Sequence, residues 1–462
     1  MVRSSDPPQG LKKRGEIMKR RKNEKGQIIV ILALGMVAIL AITALAVDGS
    51  LLYNQRRNDQ NTADSAALAG AGAAAQKLRG FKPSEFSCGP GSTSLAMQAS
   101  DLAVDAAVLS ALDDGVNLDR YNLSNKNGVT VRCETDGDGD QYLDVHVMVS
   151  SEKETTFARI ISIDTLDTTS EAVARVYPNQ PFAGGNALVS LADNCDFRNG
   201  GIFAWGGSTT FITGGGIFSN SCVEASGSTE VHIINGTVHA YQPTGCQNYD
   251  PDNTVDYVPC EKADEMLPKG MIPEPVCPTR TAANTKSEGI YDGTIKPGWY
   301  LNGISTKNKG SLTLLPGLYC IKGDLENNAQ STLIAEGVTL YMIDGGVEIR
   351  QNDKGQVSLK SCGTQPCVTL GREDFPAVQG LLMIFDYDNG SDVIMNGGST
   401  NEFVGTIYGE SNDFTLNGDS SDSTFNTQIV SKSVYVSGSA TLDMNLDSTL
   451  WVQKPSSLSL IR

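Results

Sequence analysis

The chain has 462 residues, of which 40% are hydrophobic and 19% charged, a balance that excludes global disorder. Residues 1–25 carry nine basic and three acidic side chains, whereas the remaining chain carries 27 basic and 50 acidic ones. Nucleic-acid binding depends on neutralising phosphates with cationic side chains, so this acidic body excludes nucleic acid as a partner.

A single long apolar run, residues 26–47, follows the basic segment and contains no charged residue. As a helix it would measure about 33 Å, enough for a hydrocarbon layer of about 30 Å. The basic segment, residues 1–25, is expected to stay in the cytoplasm, with the chain after the run outside. The sequence thus predicts a single-pass cytoplasmic membrane protein, with the lipid bilayer as a partner and an extracytoplasmic bulk. Its 10 Cys residues suit an oxidising compartment.

An alternative interpretation of the same run is a cleaved signal peptide, with Ala44, Leu45 and Ala46 as the cleavage motif. The run is longer than the usual apolar core of such peptides, about 7–15 residues. The helical pattern also continues beyond Ala46 without a break. A retained anchor is therefore favoured, and N-terminal sequencing of the mature protein would distinguish the two.

The helical pattern extends through residues 48–80, a stretch that lacks Pro, is rich in Ala and ends in Gly80. We therefore expect one rod of about 50 residues that leaves the membrane as a continuous helix. One face of the rod would let another element approach its backbone closely, although helix propensity alone would also explain the alanines. The small residues of this face are Ala63, Ala66, Ala67, Gly70, Ala71, Ala74 and Ala75.

The same region contains a set of short motifs, of which the stretch from Gln60 to Ala71 is the most specific. The motif residues are Gly26, Asp48, Gln60, Ala63, Asp64, Ala66, Ala67, Leu68, Ala69 and Gly70. Together they resemble the N-terminal region of TadG-like proteins of the tight-adherence (Flp pilus) assembly systems. The resemblance covers residues 24–75 and, more weakly, residues 129–178. It implies a membrane-anchored, exported structural component of pilus assembly or surface adherence, with pilus assembly or secretion proteins as partners.

One position departs from the pilin subunits of related systems, which carry Glu five residues after the Gly of the processing site. Here that position is Ile31. A carboxylate in an apolar run is costly unless it meets a partner amine in a filament. The resemblance therefore implies an anchored accessory protein rather than a pilus subunit.

The segment after the rod predicts a small α+β unit. Residues 94–114 have helical periodicity, with Leu102, Val108, Leu109 and Leu112 largely on one side. Residues 129–134, 142–150 and 172–177 alternate or run β-branched, as strands do. A long helix across a small antiparallel sheet fits this order and resembles a pilin headgroup. We place this extracytoplasmic unit at residues 48–180.

Carboxylates between two of these strands offer a weak calcium candidate. Asp136, Asp138, Asp140 and Asp144 occupy relative positions 1, 3, 5 and 9 of a calcium-binding loop. Position 12 is Val147 rather than Glu, so a solvated Asp-Gly hairpin turn is the favoured alternative. No other metal site is expected.

From residue 187 onward the composition changes to short apolar strands separated by Gly, Ser, Thr and Asn. The segments at 207–220 and 227–240 realign at an offset of 20, and those at 393–399, 414–420 and 434–440 at offsets of 21 and 20. A second phase, 403–408 and 425–430, repeats at 22, and the segments at 312–314, 338–340 and 357–359 share one β-x-β signature. Two sets of strands that repeat at nearly the same interval indicate several strands per coil. The pattern therefore predicts an all-β parallel β-helix rather than a β-sandwich. We assign repeats to residues 187–245 and 291–462.

A Cys- and Pro-rich insertion, residues 246–290, interrupts the repeats and is expected to be held by disulfides. Cys362 with Cys367 would close a small loop, and Cys195 with Cys222 would cross one or two coils. The spacing leaves the full pairing open. The disulfide candidates are Cys195, Cys222, Cys246, Cys260, Cys277, Cys320, Cys362 and Cys367.

The sequence favours a structural protein over an enzyme. Acidic residues of the repeats lie mostly at turns, basic ones are few, and no catalytic or phosphate-binding motif occurs. We therefore expect no catalytic residue and no cofactor. The alternative function is a surface protein that binds or cleaves polysaccharide, because parallel β-helices commonly do so.

Overall fold

The computed structural model describes residues 25–78, 86–88, 95–123, 126–137, 140–196, 200–207, 209–249, 258–350, 355–363, 367, 369–396, 401–417, 423–437, 441–445, 451–454 and 456–461. These residues form a helix–sheet unit, called the N-terminal module below, and a parallel β-solenoid of about ten turns. The predicted fold class is thereby confirmed.

The N-terminal module contains one very long helix, a second helix and four strands. In chain order they are α1 (Lys25–Leu78), α2 (Leu95–Asp113), β1 (Asp119–Arg120), β2 (Gly128–Thr135), β3 (Gln141–Glu154) and β4 (Thr165–Val176). α1 is 54 residues long, and its first half is exposed apolar surface, whereas its second half is packed. Among the described residues, α1 and α2 both have the length and composition of a membrane span, but α2 is partly buried in the module.

α1 packs through its small residues, because they allow the helix axes to come close together. Ala63, Ala66, Ala67, Ala71 and Ala74 are fully buried. They contact α2 and the sheet, and α2 presents its own alanines in return. The buried residues of α2 are Leu95, Ala96, Ala99, Ala103, Val104, Ala107 and Ala111.

α2 packs through its alanine side and not through its leucine side. Leu102, Leu109 and Leu112 are 44%, 63% and 50% exposed, respectively, so the leucine side of the helix faces away from the core. The physical reason is the short distance between α1 and α2. Small side chains allow the two helices to come into such close contact, and Leu102, Leu109 and Leu112 point outward.

The solenoid begins after a short strand, β5 (Gln180–Pro181). Its first part comprises β6 (Leu188–Ser190), β7 (Gly201–Gly206), β8 (Thr209–Thr213), β9 (Ile217–Ser219), β10 (Val223–Gly227), β11 (Glu230–Ile234), β12 (Val238–Ala240) and β13 (Cys260–Lys262). These strands form short turns of three strands each, and every pair between successive turns is parallel.

The second part of the solenoid is longer and has the same design. It comprises β14 (Thr285–Lys286), β15 (Ile290–Tyr291), β16 (Gly293–Ile295), β17 (Gly298–Tyr300), β18 (Ile304–Thr306), β19 (Ser311–Leu314), β20 (Gly317–Lys322), β21 (Leu325–Asn327), β22 (Thr332–Glu336), β23 (Val338–Asp344), β24 (Val347–Ile349), β25 (Gln356–Lys360), β26 (Leu381–Phe385), β27 (Val393–Asn396), β28 (Glu402–Asn417), β29 (Ser423–Ser437) and β30 (Thr441–Asn445). β28 and β29 are long because each continues around the corners of a turn.

Each turn contributes one strand to each of three walls. The first wall includes β17, β20, β23 and β26, the second includes β18, β21, β24 and β27, and the third includes β19, β22 and β25. Inward side chains of all three walls form one continuous apolar core. The small cross-section of this core suits the low aromatic content of the chain, 6%.

The turns do not stack in chain order. The last strands of the second part pair with the first strands of the first part: β29 pairs with β6 and β7, and β30 pairs with β8. The stack therefore runs from residue 285 to residue 445 and continues with residues 188–262. One straight column of buried residues crosses this junction: Tyr319, Leu340, Met383, Ile407, Ile429, Leu188, Ile217 and Val238.

The Cys- and Pro-rich segment joins the two ends of the stack rather than looping out as an insertion. After β13 the chain runs along the outside of the first wall as residues 263–284, a segment we call the strap. Leu267 exchanges hydrogen bonds with Asn220, Met271 N–H donates to the Tyr408 hydroxyl, and the Trp299 indole donates to the Pro278 carbonyl. The strap thus passes from the 188–262 end to the 285 end, and it covers an apolar outer face.

The C-terminal residues leave the solenoid, which corrects their assignment to the repeats. β31 (Gln453–Lys454) pairs with β5, and β32 (Leu458–Leu460) adds a fifth strand to the N-terminal sheet beside β4. Ser456 also donates two hydrogen bonds. Its backbone N–H donates to Asn179 Oδ1, and its hydroxyl donates to the Ala75 carbonyl. The module and the solenoid are therefore connected by the chain twice.

Candidate functional site

The second wall of the solenoid carries a surface cleft. Its volume is about 350 Å³. It lies where the last turns of the second part meet the first turn of the first part. We call it the wall-two groove; it is lined by Phe203, Trp205, Asp392, Ile394, Asp413, Thr415, Tyr435, Val436 and Ser437.

Parallel stacking places the groove residues in a column, because aligned positions of successive turns share one face. Ile394, Thr415, Tyr435 and Phe203 are register partners in sequence of turns. Tyr435 and Phe203 stack with ring centroids 5.5 Å apart and planes at 9°. Trp205, two residues further along β7, is 43% exposed and forms the open aromatic surface of the groove.

The other side of the groove is acidic. Asp413 accepts hydrogen bonds from the Lys432 ammonium, at 3.2 Å, and from the Ser433 hydroxyl, so its orientation is fixed. Asp392 is exposed at the same level of the preceding turn. A second cleft of about 260 Å³ continues from Asp392 toward Asp324, Glu326 and Glu348.

This arrangement can bind an elongated ligand that has both apolar faces and hydrogen-bonding groups. Exposed aromatic rings offer flat apolar surface, and aligned carboxylates accept hydrogen bonds from hydroxyl or amino groups. The ion pair with Lys432 holds the Asp413 carboxylate in one orientation, so the carboxylate can orient a bound ligand. The sequence did not single out Phe203, Trp205 or Tyr435, because nothing in a local motif shows that residues 203 and 435 are neighbours.

The motif residues lie in two groups along α1. Gly26 is in the first turn of the helix, whereas Ala63, Ala66, Ala67 and Gly70 are buried against α2 and the sheet. Gln60, Asp64, Leu68 and Ala69 lie outside this packed face, and Gln60 donates hydrogen bonds to Asp64 and to the Glu171 carbonyl. The most specific motif therefore builds the module rather than a reactive site.

A third and larger cleft, of about 550 Å³, lies along the same helix. α1 lines one side of it and the last strand, β32, contributes Leu460. Its remaining lining residues are Tyr53, Arg56, Arg57, Gln60, Asn61 and Asp64. Motif residues thus share this cleft with the returning C-terminus, which joins the two parts of the chain.

Asp48, the first charged residue after the apolar run, caps a loop of the sheet. Its carboxylate is buried and accepts hydrogen bonds from the backbone N–H groups of Thr156, Phe157 and Ala158, at 2.7–3.2 Å. Burial alone would raise the pKa of this carboxyl, but the three hydrogen bonds outweigh it and hold the pKa below its ordinary value. Asp48 therefore fixes the loop to the helix as an anion.

The structure shows three of the four aspartates that the sequence offers as calcium ligands, and each of the three contacts a different partner. Asp138 lies outside the described residues. Asp136 accepts hydrogen bonds from the Asp140 N–H and the Tyr177 hydroxyl, and Asp140 accepts one from Gln180. Asp144 lies within β3 and pairs with both guanidinium arms of Arg175, at 2.8 and 2.9 Å. These contacts are those of a β-hairpin turn; calcium binding stays a prediction that a titration of the melting temperature would test.

The cysteines form five disulfides in the described chain. They join Cys88 to Cys133, Cys195 to Cys222, Cys246 to Cys260, Cys277 to Cys320, and Cys362 to Cys367. Glu224 lies close enough to Cys195 and Cys222 for a shared metal ion, but disulfide-bonded sulfurs are not thiolate ligands. The pair Cys88–Cys133 ties the segment between the helices to β2.

The chain combines three parts: an apolar N-terminal helix suited to membrane anchoring, a helix–sheet module and a parallel β-solenoid. It therefore belongs to the class of β-solenoid proteins that carry an apolar N-terminal helix. Residues 26–75 match the model of the family described as "Putative Flp pilus-assembly TadE/G-like". The N-terminal region of the chain is therefore TadE/G-like, which confirms the resemblance seen in its motifs. Searches of curated proteins and of solved structures returned no match to the chain.

Proposed function

We propose that the chain is a membrane-anchored, exported structural component that acts in Flp pilus assembly or surface adherence. The family match of residues 26–75 supports the pilus-assembly context. The basic N-terminal segment supports a cytoplasmic N-terminus, and five disulfides support an extracytoplasmic bulk.

The observation that carries the proposal is the continuity of α1. The matched segment is one helix whose first half is apolar and exposed and whose second half is the centre of the module. The module is in turn joined to the solenoid by the linker after β4 and by the returning strand β32. A load on the solenoid would therefore reach the anchor through two chain connections and a sheet, as a structural role requires.

We also propose that the protein acts without catalysis. The carboxylate of Asp413 is fixed by Lys432 and Ser433, so it suits binding rather than proton transfer. His146, His232 and His239 each lie near a glutamate on the surface of a sheet and not in the wall-two groove. Incubation of the full chain with a panel of polysaccharides, followed by detection of released sugars, would contradict this if cleavage occurred.

The experiment for the main proposal replaces the chromosomal gene with defined variants. One variant carries a cleavable signal peptide in place of residues 1–47, and the matched control carries the span of an unrelated single-pass protein. We expect the first to lose piliation or adherence while the control retains it, because only the control stays attached to the membrane. The proposal fails if the released chain supports both properties as well as the parent, or if deleting the gene affects neither.

A second candidate function is binding of a surface polysaccharide, and the wall-two groove favours it. Trp205 offers an exposed aromatic face next to the stacked pair Phe203 and Tyr435, with Asp392 and Asp413 opposite. Trp205→Ala is expected to weaken binding to a responding glycan by about tenfold, equivalent to about 1.4 kcal/mol. Ile234→Ala, at an exposed apolar residue of β11, is the control. Equal affinities of the two variants, or no responding glycan, would remove this candidate.

A further inference from the structure

The loop that joins β3 and β4 carries an unusual amount of exposed apolar surface. This loop, residues 155–164, is called the hairpin tip below, and it contains a short 3-10 helix, Ala158–Ile161. Ile160 is 82% exposed, and Phe157 and Ile163 are 40% and 42% exposed. Three large apolar side chains on one short loop form a patch that water solvates poorly.

The position of the hairpin tip along α1 is fixed by a series of contacts. Gln60 contacts the Glu171 carbonyl, and Asp59 accepts hydrogen bonds from Ser151 and Thr168. Further toward the N-terminus, Asp48 accepts the hydrogen bonds of the hairpin tip itself. The hairpin therefore extends along the helix toward the apolar run.

The hairpin tip lies at the level where the apolar run ends. Asp48 directly follows residues 26–47, the stretch without charge. Its carboxylate accepts hydrogen bonds from the N–H groups of Thr156, Phe157 and Ala158, so the start of the hairpin tip lies at the end of that run. If residues 26–47 span a bilayer, the patch is at its outer surface.

The charges around the patch suit a bilayer surface. Arg159 is the one charged residue of the 155–163 stretch. Its guanidinium is 3.1 Å from Glu154, at the end of β3, and Asp164 begins the return. A cation at the edge of a group of apolar side chains is the pattern of segments that enter the interface between headgroups and acyl chains.

We propose that the hairpin tip inserts into the outer interface of the lipid bilayer, with Phe157, Ile160 and Ile163 among the acyl chains. This rests on the membrane span of residues 26–47 that the proposed function also uses. The tip is a second point of contact with the membrane, displaced sideways from the helix. Two contacts fix the tilt and rotation of the module, which one span alone would leave free.

The test uses the full chain in nanodiscs of phosphatidylcholine and phosphatidylglycerol, with the photoreactive amino acid p-benzoylphenylalanine at one position. The test position is Ile160. Leu40, within the apolar run, is the positive control, and Val276, an 88% exposed apolar residue of the strap, is the negative control. After irradiation, mass spectrometry of the chain measures covalent lipid adducts. The melting temperature of each labelled chain checks that its fold is kept.

We expect lipid adducts at position 160 with a yield near that at position 40 and about tenfold above that at position 276. Adducts at position 40 but not at position 160 would overturn the proposal while leaving the membrane span intact. Cross-links from position 160 to a second copy of the chain would identify a protein contact instead and also overturn it. No lipid adducts at position 40 would remove the span itself, and the proposal with it.

Discussion

Gly70 lies where α1 closely approaches its neighbours in the N-terminal module. A Cβ atom at this position would lie 2.8 Å from the Ala103 carbonyl oxygen and 2.9 Å from Val145 Cγ1. Both distances are well below ordinary contact, and the carbonyl belongs to the backbone of α2. Gly72, two residues further, has no atom within 4 Å of a Cβ. Gly70 and Gly72 of the same helix therefore have opposite roles.

Gly70→Ala is expected to lower the free energy of unfolding by about 1–3 kcal/mol, because the helices must separate to admit a methyl group. Gly72→Ala is expected to raise it by about 0.5–1 kcal/mol through helix propensity. Thermal unfolding of the two full-length variants in the same detergent measures the difference. A Gly70→Ala chain as stable as Gly72→Ala would show that the contact with Ala103 is not tight in solution.

The small-residue face shows what sequence reasoning can and cannot supply at this scale. The spacing of Ala63, Ala67 and Ala71 predicts close contact, and the structure has α2 and the sheet there. The periodicity of α2 shows only that Leu102 and Leu109 lie largely on one side, and the buried side carries Ala103 and Ala107 instead. Periodicity gives two candidate faces for a helix rich in both Ala and Leu. Only the distance to the partner helix decides between them.

Tyr291 is a buried residue at the first turn of the stack, next to Tyr300 and Tyr319. Ring centroids are 5.4 Å apart for Tyr291 and Tyr300 and 5.6 Å apart for Tyr300 and Tyr319. Burial, with a contribution from Glu288, raises the pKa of Tyr291 to about 12. The Tyr291 hydroxyl has no hydrogen-bond partner within the described residues.

These properties predict that the stability of Tyr291→Phe relative to the parent increases as the pH rises. A raised pKa stabilises the fold below the ordinary value of 10.0, and this stability is lost as the pH rises toward about 12. At pH 7 the Phe variant should be as stable as the parent or more so, because an unpaired hydroxyl leaves the core. At pH 11 it should lose less of its melting temperature than the parent. Parallel melting curves that shift equally would contradict the assigned burial of the hydroxyl.

At the scale of elements, the strap determines how the outer face of the first wall is covered. Ile272 is buried there, its carbonyl accepts a hydrogen bond from Tyr387, and Cys277 is joined to the buried Cys320. The disulfide closes a loop of sequence separation 43, compared with 5 for Cys362–Cys367. The loss of chain entropy that a cross-link imposes on the unfolded state grows with this separation.

Replacing Cys277 and Cys320 together by Ala should lower the free energy of unfolding by about 2–4 kcal/mol, with earlier proteolysis of the strap. The matched double variant at Cys362 and Cys367 should cost clearly less, since its loop is short. Denaturant unfolding and mass mapping of the first proteolytic cuts measure both effects. A larger loss for the short loop would show that local strain, rather than loop length, governs these bonds.

Strand positions in the solenoid were predictable because each strand is short, alternating and bounded by turn residues. The offsets of 21 between residues 393 and 414 and of 22 between residues 403 and 425 are observed. The offset of 20 between residues 207 and 227 was wrong, because Thr209 pairs with Glu230 at 21. The segments at 312–314 and 338–340 also belong to different walls. A β-x-β pattern repeats three times per turn, so a single sequence cannot assign a strand to a wall.

At the scale of the whole molecule, the order of the turns was beyond sequence reasoning. Every turn presents similar inward apolar side chains to the turn above and below it. The side chains alone therefore do not specify which turn stacks on which. The pairing of Ile429 with Leu188 therefore has no local signature. What selects it is the strap, which carries the chain to the far end of the stack, together with β32, which brings the C-terminus back to the module.

This topology predicts that residues 188–262 and residues 285–445 unfold as one unit. Leu188 is 1% exposed at the junction between the two parts, and Leu340, fully buried within the second part, is the matched control. Either Leu→Ala change should cost about 2–5 kcal/mol, because each removes a core side chain and leaves a cavity.

Hydrogen–deuterium exchange of the two variants separates a shared core from two stacked domains. If the core is continuous, Leu188→Ala weakens protection in residues 201–240 and in residues 424–445 together, because the β29–β6 and β30–β8 ladders open as one. Leu340→Ala should then weaken the same two regions by a similar amount. Loss of protection confined to residues 188–262 in Leu188→Ala would instead mean that the first turns fold by themselves. In that case the junction would be a docking contact between two solenoids and not part of a single column.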